Sequence, residues 1–122
     1  MAKKIAIIED DLAISTMYQL KFQSEGYDVE TAANGKIGLE LCEKMNPDIV
    51  LLDLMMPEMT GEEMLVAMRK TPWGKNTKVI ILTNMGEQEV PEKVKQLEVT
   101  SVILKADMTP RQVAEVVKGV LK

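Results

Sequence analysis

Five short apolar runs, rich in isoleucine and valine, recur along the 122-residue chain at 4–8 (KIAII), 27–32 (YDVETA), 48–52 (DIVLL), 78–82 (KVIIL) and 101–105 (SVILK). Runs this short and this branched read as strands buried on both faces, as in a parallel sheet. The second alternates polar and apolar residues and reads as an edge strand. Between the runs the period changes to that of a helix. Gly38, Leu41, Cys42 and Met45 share one face, as do Gly61, Met64, Leu65 and Met68. Val90, Val94 and Leu97 make a thinner stripe, and Val113, Val116, Val117, Val120 and Leu121 the clearest one. A first helix is expected over 12–25, presenting Ala13, Ile14, Met17 and Leu20 and ending at Gly26. Pro47 and Pro72 punctuate the ends of the second and third helices. Pro91 falls in the first turn of a short fourth helix, and Thr109–Pro110 suits the N-cap and first position of the last.

The expected order is therefore (βα)5, without repeats or linkers, in a single domain over 1–122. Right-handed crossovers would cover both faces of the sheet. The expected architecture is a doubly wound, five-stranded parallel sheet of order 2-1-3-4-5.

Composition removes several classes of function. A net charge of −4 argues against a nucleic-acid surface. Histidine is absent, which excludes histidine-based metal sites, histidine general bases and Ser-His-Asp triads. The one cysteine, Cys42, can form no internal disulfide and fits a small buried hydrophobe in a reducing compartment. No apolar run approaches the ~18 residues of a membrane span. The amino-terminal run is too short for a signal peptide, so a cytoplasmic protein is expected. Most of the ten methionines fall on helical stripes, where they serve core packing.

In a sheet of this kind, ligands sit outside the carboxyl ends of the strands, near the switch point between strands 1 and 3. Strand 1 ends in Glu9, Asp10 and Asp11, strand 3 in Asp53, strand 4 in Thr83 and strand 5 in Lys105. Asp11 suits a helix N-terminus. Each of these residues alone is an ordinary strand-end group; together they are specific. Two carboxylates ~4 Å apart repel by about 4 kcal/mol at an effective dielectric near 20. Glu9, Asp10 and Asp53 form such a trio, with Lys105 as the only offset. A divalent cation would resolve the crowding. All-oxygen ligands select Mg²⁺, Mn²⁺ or Ca²⁺. Few protein ligands, with room for water and a phosphate oxygen, favour Mg²⁺, with Mn²⁺ as a substitute. A metal, a hydroxyl and a lysine around one carboxylate resemble a phosphoryl-transfer site, with Asp53 as the in-line nucleophile.

The sequences IIEDD (7–11), LLDLMMPEMTG (51–61), ILTN (81–84) and ILKAD (103–107), in this order and spacing, closely resemble the receiver domain of two-component response regulators. The resemblance covers essentially the whole chain and implies a flavodoxin-like fold. It implies that Asp53 is the phospho-acceptor. Glu9, Asp10, Asp53 and the backbone carbonyl of Met55 would be metal ligands, and Thr83 and Lys105 would contact the phosphoryl group. It also implies a sensor histidine kinase or phosphotransfer protein as donor, with acetyl phosphate as a small-molecule alternative. Such a protein modifies itself and turns over no external substrate. Its output would be a protein contact through helix 4, strand 5 and helix 5, with Val90, Lys93, Val102 and Lys118 as candidates, and without an output domain, nucleic acid or membrane. In this family the residues two after the aspartate and two after the threonine flank the approach of hydrolytic water; here they are Met55 and Met85. Three positions depart from the pattern. Val102 replaces the usual aromatic, Ala106 the usual proline, and Asn84 a usually small residue.

A degenerate receiver, binding partners without phosphorylation, is the alternative; the complete Asp53–Thr83–Lys105 set argues against it. A phosphatase of the haloacid-dehalogenase type would carry its nucleophile after strand 1 in a D-x-D pattern, which EDDLA lacks. A flavin module would need phosphate-cradling donors there, where Glu9 and Asp10 would repel phosphate.

Overall fold

The computed structural model describes residues 2–84 and 89–122. The elements are β1 (Lys4–Ile8), α1 (Leu12–Ser24), β2 (Asp28–Ala32), α2 (Gly35–Met45), β3 (Ile49–Asp53), α3 (Gly61–Arg69), β4 (Lys78–Thr83), α4 (Glu92–Lys95), β5 (Ser101–Leu104) and α5 (Pro110–Val120). All strand pairs are parallel and the sheet order is β2-β1-β3-β4-β5. The expected doubly wound topology is therefore the observed one, with β2 at an edge.

The inner strands β1, β3 and β4 are apolar along nearly their whole length because both of their faces are covered. On one face Ala6, Ile8, Val50, Leu52, Val79 and Ile81 pack with residues of α2, α3 and α4. On the other, Ile5, Ile7, Ile49, Leu51, Ile80 and Leu82 pack with residues of α1 and α5. Successive side chains alternate between these two cores, as the strand period of two requires. Cys42 lies wholly buried in the first core, and burial pushes its thiol up to about 12.

Local signals set the helix starts. Asp11, Asn34, Thr60 and Thr109 each accept a hydrogen bond from the backbone three residues on. Thr60 with Glu63, and Thr109 with Gln112, complete reciprocal capping boxes. Gly26 takes φ +92° after α1, a conformation that suits glycine. Pro91 is the N-cap of the four-residue α4 rather than part of its first turn. β3 and β4 each run one residue further than their apolar runs and take in Asp53 and Thr83; β5 stops just short of Lys105.

Two further expectations are corrected. The inward face of α1 is Ser15, Tyr18 and Phe22, while Leu20 is 62% exposed and Ala13 and Met17 also face outward. The helix is apolar on both sides, so periodicity could not fix its phase. The wide space over Ile5 and Ile7 takes two aromatic rings, and Tyr18 and Phe22 stack there with centroids 6.3 Å apart. Val90 was also offered as a candidate on the output face; it is only 4% exposed and belongs to the core beside Val94, as its place in the apolar stripe implied. Among the expected surface candidates, Lys93 and Lys118 are exposed and Val102 is half-buried against the core. Met85 lies outside the described residues. Among the described residues, no helix is long and apolar enough to cross a membrane.

Arg69, the last residue of α3, makes a junction that no periodicity announced. Its Nε donates to the carbonyl of Leu97 (2.9 Å), one terminal nitrogen to those of Gly74 (2.9 Å) and Thr77 (2.6 Å), and the other to that of Glu98 (3.2 Å). One side chain thus ties the α3–β4 connection to the chain between α4 and β5. Hydrogen bonds from a charged donor each contribute about 1.5–3 kcal/mol, and water can replace some of these. Arg69→Met should therefore lower stability by about 2–3 kcal/mol. Urea denaturation followed by circular dichroism measures this; a midpoint equal to the parent's would show that water substitutes fully.

Candidate functional site

The parallel register delivers the polar groups to one edge. Ile8 pairs with Leu52, Asp53 with Leu82, and Thr83 with Leu104. The residues that follow β1 and β5, and the ends of β3 and β4, therefore meet beyond the carboxyl ends of the four strands. A depression of about 220 Å³ opens there, lined by Glu9, Asp10, Asp11, Ile14, Asp53, Met55, Asn84 and Lys105.

Of the residues expected at the site, Glu9, Asp10, Asp53, Met55 and Lys105 line the depression together. Thr83 is adjacent but does not line it. Its residue is wholly buried at the end of β4, its carbonyl accepts the Lys105 N–H at 2.8 Å, and the next residue, Asn84, reaches the opening. Asp11 serves two purposes, as N-cap of α1 and as part of the wall. Ile14 was not foreseen as a wall residue; its place in the first turn of α1 was the available signal.

Glu9 and Asp53 are each 5% exposed, while Asp10 is open to solvent. The Lys105 ammonium donates to both oxygens of Glu9, at 2.9 and 2.8 Å, and lies 3.5 Å from Oδ2 of Asp53. The Met55 N–H approaches Oδ1 of Asp53 at 3.4 Å, while the Met55 side chain, 65% exposed, stands at the rim. Gly61 allows α3 to begin directly beneath this point: a Cβ there would collide with the Asp53 carbonyl.

One oxygen from each of Glu9, Asp10 and Asp53 lies within 4.8 Å of the others. Three hard carboxylate donors around one point, with a single ammonium nearby, fit a hard divalent cation and not a thiophilic one. These residues could hold a metal ion.

The electrostatics agree with that crowding. Burial pushes the Glu9 carboxyl up to about 7; the Lys105 hydrogen bonds pull against this, and the Asp53 charge adds to it. Burial works against the Lys105 charge, but Glu9 and Asp53 outweigh it and raise its affinity for the proton. Glu9 holds its proton to higher pH in the folded chain than in the unfolded one, where 4.5 is ordinary. The folded state then binds more protons across that interval, so stability falls as pH rises from about 4.5 through about 7. In chelator-treated buffer, the urea midpoint should drop between pH 5 and pH 7.5, and Glu9→Gln should remove most of the drop. An equal drop in both proteins would assign it to other groups.

Comparison with known proteins points one way. The family model described as the response regulator receiver domain matches residues 5–118. The chain is 38% identical to sporulation initiation phosphotransferase F of Bacillus subtilis (strain 168), over 80% of this chain and 77% of that protein. It is 32% identical to the alkaline phosphatase synthesis transcriptional regulatory protein PhoP of the same organism, over 100% of this chain but 50% of that protein. The chain thus spans about half the length of such transcriptional regulators. The solved structure of the chemotaxis response regulator CheY4 of Vibrio cholerae superposes with a TM-score of 0.90 at 29% identity, over 98% of this chain and 99% of that one. With its sheet order and its strand-end carboxylates, this chain belongs to the response regulator receiver domain family, whose members are signalling switches rather than enzymes of an external substrate.

Proposed function

We propose that this chain is a phosphorylation switch that accepts a phosphoryl group on Asp53 in a Mg²⁺-dependent reaction. The observation that carries the proposal is the convergence of the Lys105 ammonium and the carboxylates of Glu9 and Asp10 on the buried strand-end carboxylate of Asp53. Glu9, Asp10, Asp53 and the Met55 carbonyl would hold the ion, and when bound it would neutralise charge on the phosphoryl oxygens. An oxygen of Asp53 attacks phosphorus, and the bond to the leaving group breaks with its electron pair departing on the donor. β3 is buried along its whole length, so the nucleophile stands on a rigid support. Lys105, already between Glu9 and Asp53, is placed to meet the charge of the incoming group. Thr83 supplies a hydroxyl at the neighbouring strand end.

The donor in this proposal is a sensor histidine kinase, a phosphotransfer protein or acetyl phosphate. Residues 1–122 act as one receiver domain, and the signal leaves by a protein contact on the face of α4, β5 and α5, where Lys93, Val102 and Lys118 remain candidates. The proposed compartment is the cytoplasm, which suits a chain whose one cysteine is a buried free thiol.

Incubation with acetyl phosphate and Mg²⁺ should add one acid-labile phosphate to the intact mass, and Asp53→Asn should abolish it. Equal labelling of the variant would overturn the assignment. The phosphorylated state should be long-lived. Hydrolysis needs a water aligned behind phosphorus, and the thioether of Met55 at the rim cannot hold one by a strong hydrogen bond. Met55→Asn with Met85→Glu should speed loss of the phosphate about tenfold, a change of only ~1.4 kcal/mol in barrier. Decay after donor removal decides it; equal rates would show that these side chains do not gate the water.

A further inference from the structure

Residues 55–60, between β3 and α3, carry Met55 into the wall of the carboxylate depression. Their conformation is held rather than relaxed. Glu58 has φ +67°, a left-handed conformation unusual for a side chain of this kind, and the Met59 N–H closes a tight turn on the Pro57 carbonyl at 2.8 Å. The base of the segment is pinned by the Gly61 N–H to the Leu54 carbonyl at 3.1 Å. Among the described residues, one backbone hydrogen bond reaches the segment from elsewhere in the fold: the Gly35 N–H, in the first turn of α2, donates to the Met59 carbonyl at 3.1 Å. That approach requires glycine. A Cβ on residue 35 would stand 2.6 Å from the Met59 oxygen and 3.0 Å from its Cγ. The oxygen is backbone, so the chain itself would have to move.

We infer that Gly35 is a positioning residue for the carboxylate pocket: the close approach of its bare Cα to the Met59 carbonyl fixes the 55–60 turn and, through it, the Met55 backbone beside Asp53. The inference rests on the proposal that Glu9, Asp10, Asp53 and the Met55 carbonyl bind Mg²⁺. A methyl group at 35 displaces the Met59 carbonyl. Among the described residues no second backbone hydrogen bond reaches the segment from outside. Met56 is anchored in the core by its side chain, and the backbone shift is relayed past it over four residues to Met55, whose N–H already touches Oδ1 of Asp53. The carboxylates themselves, carried by β1 and β3, stay in register.

Gly74 supplies the control. A Cβ there would stand 2.5 Å from the Met68 carbonyl, a comparable backbone collision, but in the connection that enters β4 from its amino end. The chelator-treated chain, Gly35→Ala and Gly74→Ala are titrated with Mg²⁺ alone by calorimetry, and urea denaturation ranks their stabilities. Gly35→Ala should weaken Mg²⁺ binding about tenfold, the lower end of the cost of losing support behind a metal ligand. Gly74→Ala should lose stability but keep the parent affinity. Parent affinity in Gly35→Ala, or an equal loss in Gly74→Ala, overturns the inference and leaves the metal site standing. A parent chain that binds no Mg²⁺ overturns both. Should Gly35→Ala not fold, Asn34→Ala replaces it: this variant removes the acceptor of the Ile37 N–H and loosens the first turn of α2, which carries Gly35, without adding an atom. A smaller loss of Mg²⁺ affinity is then expected, and unchanged affinity overturns the inference.

Discussion

The Lys105 ammonium holds together carboxylates from two different strands. Without it, Glu9 and Asp53 would be two negative charges in a poorly solvated recess, beside a third on Asp10. Like charges at such range repel by several kcal/mol even at a generous effective dielectric. The bidentate contact with Glu9 and the longer one with Asp53 share that load unequally. Glu9 receives the better hydrogen bonds and still has a strongly raised proton affinity. The pocket is therefore short of positive charge, which favours entry of a cation.

This arrangement depends on the sheet. Four neighbouring parallel strands in fixed register must end at the same level for Glu9, Asp53, Thr83 and Lys105 to meet. A slip of one residue in any strand would turn its side chains to the opposite face and exchange its two cores. The two hydrophobic clusters thus do more than stabilise the chain. They forbid the slip, because Ile8, Leu52 and Ile81 belong to one core and Ile7, Leu51 and Leu82 to the other.

Much of this was legible in the sequence, for physical reasons. Strands buried on both faces leave uninterrupted branched apolar runs, and the first polar residue after each run marks its carboxyl end. That rule placed Glu9, Asp53, Thr83 and Lys105 correctly. Caps at Asp11 and Thr109 were legible because they act over three residues. The phase of α1 was not legible. Leucine and methionine outside and aromatic residues inside give no clear amphipathic signal, and only the volume over Ile5 and Ile7 decides. Arg69 was hidden for another reason. An arginine in the last turn of a helix reads as a complement to the helix dipole, and its four acceptors are backbone groups without sequence identity. The role of Gly35 was hidden as well: that it faces the Met59 carbonyl follows only from how α2 lies on the sheet.

Although left-handed Asn46 and Glu98 and the tightly packed Gly74 lie elsewhere, several departures from ordinary local chemistry lie at the same edge. There lie the crowded carboxylates, the left-handed Glu58, the exposed Met55 and the glycines at 35 and 61 that admit backbone to near contact. Away from it, four of the five helices carry a side-chain N-cap, and the cores are aliphatic with methionine on one face and with aromatic rings on the other. Among the described residues, every buried side-chain polar atom has a hydrogen-bond partner. A sequence selected for stability alone would place neutral residues at positions 9 and 53 and lose the repulsion. That the charge is kept where the support is most rigid, at the ends of wholly buried strands, follows if position matters more than stability there. A nucleophile displaced by an ångström loses much of its rate, whereas the repulsion between carboxylates is a cost that the two cores can carry.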